Sequence, residues 1–429
     1  MVPTTRAAAL VLLGVVPVVL RPAESTVWAW IGVVVVLCAL DALLAASPTA
    51  LAITREGDDQ VRLGESARTH LVVENTGRRT LRGLVRDAWP PSAGSRPGSH
   101  RLTVPPGERR RVTTVLSPTR RGDRLADRVT ARTVGPLRLL ARQRSVEVPG
   151  RVRVLHPFPA RKHLPSRLAM LRQIDGRAAV RTRGQGTEFD SLRDYVEGDD
   201  VRSIDWRATA RRRALVVRTW QPEQHRRILV VLDTGRTSAG RVGDAPRLDA
   251  AMDAALLLTA LAGHARDRVQ VVAGDRTVRA RISGADRATL LHDAISRLAP
   301  VDPRLVETDW GVLAGEVARS TQRSLVVLLS PLEPAAVEEG LIPVLPSLVA
   351  HHRVVLASVA DPAIDAMSRS RDGSAEVWDA AAAERTRSLR DAAAEALGRV
   401  GVDVLDAPPD ELPVRLADHY LALKRQGLL

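Results

Sequence analysis

The sequence predicts a multidomain chain with an N-terminal transmembrane helical hairpin, a small antiparallel β-sandwich and a C-terminal doubly wound α/β domain. Three observations predict it. Two apolar runs open the chain, residues 51–155 alternate in short segments between turn signals, and from residue 227 continuous apolar strands alternate with helical patterns. At 429 residues the chain is also too long for one ordinary core. The expected boundaries are 1–48 for the hairpin, 51–155 for the sandwich, 156–226 for a connector and 227–425 for the α/β domain.

In the hairpin, residues 7–20 read AAALVLLGVVPVVL between Arg6 and Arg21, and residues 26–46 read TVWAWIGVVVVLCALDALLAA. The second run has the roughly 20 residues a bilayer requires, with Trp28 and Trp30 where interfacial aromatics sit. A cleaved signal sequence would place its core at 7–20, but a second apolar run follows at once and Arg6 is a thin basic flank. The preferred reading is two spans joined by a turn at 21–25. Arg6 and the Arg-rich chain beyond Arg55 then share the cytoplasmic side of the cell membrane. Asp41 is costly in lipid and is expected near the membrane boundary.

The sandwich rests on segments such as 69–74 (THLVVE), 101–104, 111–116 and 128–133, each closed by Asn, Gly or Pro turn residues. That spacing suits an Ig-like arrangement without the Cys and Trp core of antibody domains. Residues 156–183 read as a basic connector opened by Pro157, Pro159 and Pro165.

In the α/β domain, ILVVL at 228–232 ends at Asp233 as a strand buried on both faces would. A helix is expected over 247–266, a hairpin about 274–276, helices at 287–298 and 310–319, and strands at 324–329, 354–359 and 402–405. Helices over 334–348, 374–398 and 412–425 complete it. A parallel sheet of this kind binds ligands beyond its strand carboxyl ends, which makes Asp233, Ser330 and Asp361 the positions to inspect.

The net charge is +14, yet of 63 basic residues only Lys162 and Lys424 are lysine, and the arginines are spread among 49 acids. Nucleic-acid binding predicts basic clusters with stacking aromatics, so it is not favoured. Cys38 is the only cysteine, and no HxxxH spacing occurs; disulfides within the chain, thiol catalysis and His/Cys metal sites have no support. No GxxxxGK[ST] loop is present, so the chain is not expected to bind ATP itself.

Asp233-Thr234-Gly235-Arg236-Thr237 resembles the D-x-S-x-S metal site of von Willebrand factor A-like domains. A hard cation needs oxygen ligands from several loops. Asp233 and Thr237 fit, but Gly235 replaces the first hydroxyl and Pro331 stands where that family has Asp. Glu333 lies two residues further on, and Thr308 could supply a loop threonine. The site reads as degenerate; no cofactor is expected, Mg²⁺ included, and Asp233 is expected to bond loop amides.

Residues 184–218 carry the most specific pattern, through Gly184, Glu188, Phe189, Asp190, Leu192, Arg193, Tyr195, Gly198, Asp199, Asp200, Arg202, Ile204, Asp205, Trp206, Ala208, Ala210 and Arg211. This stretch resembles the conserved heart of the domain-of-unknown-function 58 family, which is similar in plan over the whole chain. The resemblance implies a membrane-anchored protein with an A-like domain that works with a MoxR-type AAA+ ATPase; it implies no reaction. On the residues themselves, Arg193, Arg202 and Arg211 are expected to pair with Asp190, Asp199 and Asp205, while Phe189, Tyr195 and Trp206 anchor the segment to the sheet domain. The leading function is a non-enzymatic, membrane-tethered interaction protein. The alternatives are a membrane-bound divalent-metal-dependent hydrolase using the acidic motif and Asp233, and an adhesion protein of opposite topology.

Overall fold

The computed structural model describes residues 1–181, 188–221, 226–284, 287–370 and 373–429, in two units, Met1–Pro157 and Phe158–Leu429. The first unit joins the apolar helices to three sheets, antiparallel as expected except where Gln60–Arg62 pairs parallel with Arg151–Leu155. The helices are Thr5–Leu13, Val15–Leu20 and Glu24–Leu44. At 1.5 Å per residue the 21 residues of Glu24–Leu44 reach about 31 Å, enough for a hydrocarbon core of about 30 Å. It is the one helix among the described residues long and apolar enough to cross a membrane; Thr5–Leu20 is shorter. Gly14 marks where the arms meet, since a Cβ there would lie 2.3 Å from Trp30 Cδ1. Leu12, Leu13, Val19, Leu20, Trp28, Val35, Val36 and Leu43 are exposed along the arms, a larger apolar surface than water tolerates.

Asp41 has a different role from the one its position suggests. It is fully buried, and its carboxylate accepts the Leu137, Leu139 and Leu140 amides at 2.7, 2.7 and 3.0 Å. It therefore pins the last turn of the helix to the sheets rather than merely tolerating a boundary. Gly135 permits the approach, because a Cβ there would fall 2.2 Å from Asp41 Oδ1. The other foot of the hairpin lands beside it: Val2 and Pro3 pair with Ala141 and Leu140. Both feet thus stand on one strand.

The five-stranded sheet runs Val2–Pro3, Leu140–Val146, Val129–Val134, Leu81–Asp87, Ser99–Val104, and the four-stranded sheet runs Leu51–Gly57, Ala67–Asn75, Arg109–Leu116, Ser95–Arg96. Residues alternate inward along each strand, so Leu71 and Val73 of one sheet meet Leu81, Val85, Val129 and Ala131 of the other in a shared core.

In the second unit the described part of the connector, 158–181, is more ordered than its composition suggests. A 3₁₀ turn, Pro159–His163, runs into the helix Leu164–Arg181, with Pro165 in the first turn where its missing N–H costs nothing. The Ala160 amide bonds Asp253 at 3.1 Å, and Arg167 forms a forked pair with Asp418. These tertiary bonds hold the segment together with Leu164, Leu168 and the buried Leu171, which share one face of the helix at i, i+4 and i+7.

The central sheet comprises β1 (Arg227–Asp233), β2 (Arg268–Gly274), β3 (Val278–Gly284), β4 (Ser324–Leu329), β5 (Arg353–Val359) and β6 (Asp403–Ala407), in the order β3-β2-β1-β4-β5-β6. All neighbours are parallel except β3, which returns from β2 as a hairpin. One face of β1 sends Leu229 and Val231 into a cluster with Trp310, Leu313, Val337 and Leu397. On the other side the helix Arg247–His264, buried almost all round, packs on the sheet and against Leu412–Gln426. Strand order reverses between β1 and β4, so the crevice for a ligand or partner opens beyond Asp233 and Leu329.

Candidate functional site

Three loops meet at that crevice. The β1 loop is stitched to the loop before the helix Trp310–Ala318 by two backbone bonds, Arg236 N–H to Val306 and Arg304 N–H to Thr234, both 2.8 Å. Thr234 also donates to the buried Asp275 beyond β2, at 2.9 Å. The stitching delivers Thr308 to Asp233, whose carboxyl is 2% exposed. Four donors converge on it. Gly235 N–H (2.8 Å) and Thr308 Oγ1 (2.5 Å) bond Oδ1, while Ser330 Oγ (2.7 Å) and Thr237 Oγ1 (3.3 Å) bond Oδ2.

Gly235 is not simply a lost ligand. A Cβ at 235 would stand 2.1 Å from Thr308 Oγ1, so the space of the missing hydroxyl is filled from another loop. Asp233 and Thr237 do come together, as their spacing predicts, and Thr308 joins them. Ser330 was visible in the sequence only as a strand end; its hydroxyl, beside Pro331, reaches the carboxylate directly. Glu333 does not join and pairs instead with Arg247 at 3.0 Å. Burial pushes the Asp233 carboxyl above the usual range, and the Thr308 hydroxyl, the Gly235 amide, Ser330 and Thr237 pull the other way.

The cluster offers a cation one carboxylate and three hydroxyls, and no group of three His, Cys, Asp or Glu side chains gathers among the described residues. All three hydroxyls already donate to the one acceptor. A second carboxylate, which would balance a divalent charge, is not brought in. Around this closed knot the rim is open: Leu305 is 86% exposed, and Arg236 pairs with Glu307 beside it.

The 184–218 motif forms a separate small ribbon. Glu188–Asp194 pairs antiparallel with Val216–Gln221, Ile204 bridges to Val217, and the helix Trp206–Arg212 packs on the second strand. Gly184 lies outside the described residues, and Glu188, Phe189 and Asp190 are described only as backbone of their strand. Arg193 forks onto Asp199, at 2.5 and 2.7 Å, and Asp199 also accepts the Val196 amide. Asp200 caps the turn Val201–Ser203. Asp205 caps the helix through the Arg207 and Ala208 amides and takes Arg218 as partner, not Arg211. Gly198, at φ +106°, makes the turn before Asp199 possible. The Arg193 bond holds the Asp199 carboxyl below its ordinary range, and the Ala208 amide does so for Asp205.

The anchoring expected of Trp206 is not what the ribbon shows, and the side chain of Phe189 lies outside the described ones. Trp206 is 66% exposed, Val196, Val201 and Leu215 are exposed beside it, and Tyr195 is half-buried. Among the described side chains of the ribbon, Val216 and Val217 are buried. Arg202, Arg207, Arg211, Arg212 and Arg213 also face solvent.

Residues 191–396 match the family described as "Protein of unknown function DUF58". No curated protein matches the chain. Among solved structures, the CARDB domain of a Pyrococcus furiosus protein, in complex with di-metal ions, is similar at 21% identity over 23% of this chain and 86% of that one, with a TM-score of 0.16. A FixG-related protein from Vibrio parahaemolyticus is similar at 12% identity over 24% and 96%, and a β-glucosidase from Erythrobacter marinus at 16% over 25% and 15%, both at a TM-score of 0.16.

Proposed function

We propose, for a chain that belongs to the DUF58 family, a non-enzymatic interaction protein held at the cell membrane by its apolar hairpin. Its second unit acts as a von Willebrand A-like domain, and its partner is a cytoplasmic MoxR-type AAA+ ATPase. The observation that carries this reading is the contrast at the β1/β4 crevice. A loop tied down by backbone bonds and by Asp233 holds Leu305 out at 86% exposure. Exposed apolar side chains on a rigid support are what protein interfaces use as anchors, and the rim pair Arg236–Glu307 suits a polar border. The ribbon adds a second contact through Trp206 and its arginines, residue types enriched at interface hot spots.

A hydrolase is the weaker reading. Asp199 is engaged by Arg193, and Asp233 is saturated by hydroxyls, so neither carboxylate is left to activate water. Both feet of the hairpin stand on the strand Leu140–Val146, which supports a turn at 21–23 inserted from one side; the cytoplasmic placement follows Arg6 and the Arg-rich chain beyond Arg55.

Co-purification from detergent extracts with a MoxR-type ATPase tests the proposal. Wild type is expected to retain the ATPase and Leu305→Arg to lose it, with Trp206→Ala weakening it. Failure of wild type to retain any ATPase would remove the partner from the reading. Saturable, Asp233-dependent binding of Mg²⁺ or Mn²⁺ in calorimetry would favour the hydrolase instead.

A further inference from the structure

The foot of the hairpin holds a groove that the crevice and the ribbon leave unused. A cavity of about 550 Å³ lies between the last turns of Glu24–Leu44 and the strand Leu140–Val146. It is lined by Val34, Val35, Cys38, Ala39 and Ala42, with Arg142 as its charged side chain. Arg142 Nε is buried and has no hydrogen-bond partner. A guanidinium nitrogen left unpaired against apolar walls is costly, and an anion seated in the groove would relieve that cost.

The groove is built, not incidental. Leu140 and Arg142 share a strand face by alternation and both line it. The opposing helix is fixed by the three amide bonds to Asp41, and the strand's far edge is paired with Val2–Pro3. Residues 34–42 cover about 12 Å of helix, a length over which part of an acyl chain can lie. Arg142 stands at the end of the span, at headgroup depth if Glu24–Leu44 crosses the bilayer. Arg79, bonded to the Leu43 carbonyl, and the exposed Arg138 add positive charge there.

We propose that this groove binds one anionic phospholipid, with an acyl chain along residues 34–42 and its phosphate on Arg142. The inference rests on the membrane-spanning reading of Glu24–Leu44. Basic pockets at the cytoplasmic foot of membrane helices recognise headgroups by this chemistry, and a mostly apolar cavity of this size suits a lipid tail.

The test uses the full chain, extracted into dodecyl maltoside from carbonate-washed membranes. It is then exposed to equimolar phosphatidylglycerol and phosphatidylcholine and examined by native mass spectrometry. One phosphatidylglycerol per chain is expected, in preference to phosphatidylcholine. Arg142→Gln should lower that occupancy about tenfold, the scale of one lost charge-assisted bond. Ala39→Phe, which fills the groove, should remove both lipids, with thermal midpoints confirming that each variant folds. Equal phosphatidylglycerol occupancy in wild type and both variants, or none in wild type from a carbonate-resistant pellet, would overturn the groove alone. Release of wild type by carbonate would overturn the spanning reading and the groove with it.

Discussion

Asp205 and Asp233 are the same residue type in the two most informative stretches of the chain, yet they do opposite work. Asp205 sits on an exposed ribbon, accepts two helix amides and pairs with Arg218. Its charge is favoured, and its carboxyl titrates low. Asp233 is buried at the junction of three loops, meets no cation, and its carboxyl is pushed up by burial against four neutral donors. The comparison teaches that the most recognisable motif need not be the structural centre. The ribbon is rich in signature residues and largely faces solvent; the degenerate motif at Asp233 closes the fold's crevice.

The contrast breaks most directly at Asp233. Asp233→Ala leaves one amide and three hydroxyls without their acceptor and should cost about 3 kcal/mol or more, read from denaturant midpoints at constant slope. If the loss is below about 1 kcal/mol, the knot is not what joins the loops.

A second buried carboxylate sharpens the comparison through pH. Burial raises Asp253 to about 6, while the Ala160 amide and Lys162 oppose the shift. Between about pH 4 and pH 6 the folded chain holds a proton the unfolded chain has released, so stability falls as pH rises through that window. Asp253→Asn should remove that fall, worth on the order of 2 kcal/mol, and calorimetric scans at pH 4.5 and pH 7 would show it.

Restoring the missing hydroxyl should not improve the crevice. Gly235→Ser drives its Cβ into Thr308 Oγ1 and should cost about 1–2 kcal/mol of overpacking. Adding Thr308→Ala should recover part of that loss; additivity of the two changes would contradict the shared space. The smallest effect belongs to the ribbon. Asp205→Ala should speed amide exchange over Trp206–Arg212 without moving the global unfolding midpoint, because it removes the cap of that short helix and its exposed pair with Arg218.

Much of the second unit was legible because its signals are local and repeated. SLVVLL at Ser324–Leu329 and the helix Arg287–Leu298 fall where their runs place them. The order β3-β2-β1-β4-β5-β6 needed the folded chain, since any of several crossovers is compatible with alternating strands and helices. The helix Leu164–Arg181 was hidden for another reason: Pro157, Pro159 and Pro165 read as a connector, while Leu164, Leu168 and Leu171 turn inward at helical spacing and Ala160–Asp253 and Arg167–Asp418 hold it.

The crevice divides the same way. The sequence alone carries a carboxylate and a threonine four residues apart after an apolar strand, and over residues 191–396 it matches the DUF58 family. It also determined that an apolar helix of membrane-spanning length precedes the sheets. Only the tertiary structure decided that Thr308 takes the space beside Gly235, that Ser330 completes the knot, that Glu333 turns to Arg247 and that Asp41 locks the hairpin's foot. The physical reason is common to all four. Each is a hydrogen bond, ion pair or close approach between residues about 75 to 100 positions apart, and sequence patterns carry information over the few residues of a turn or a helical repeat.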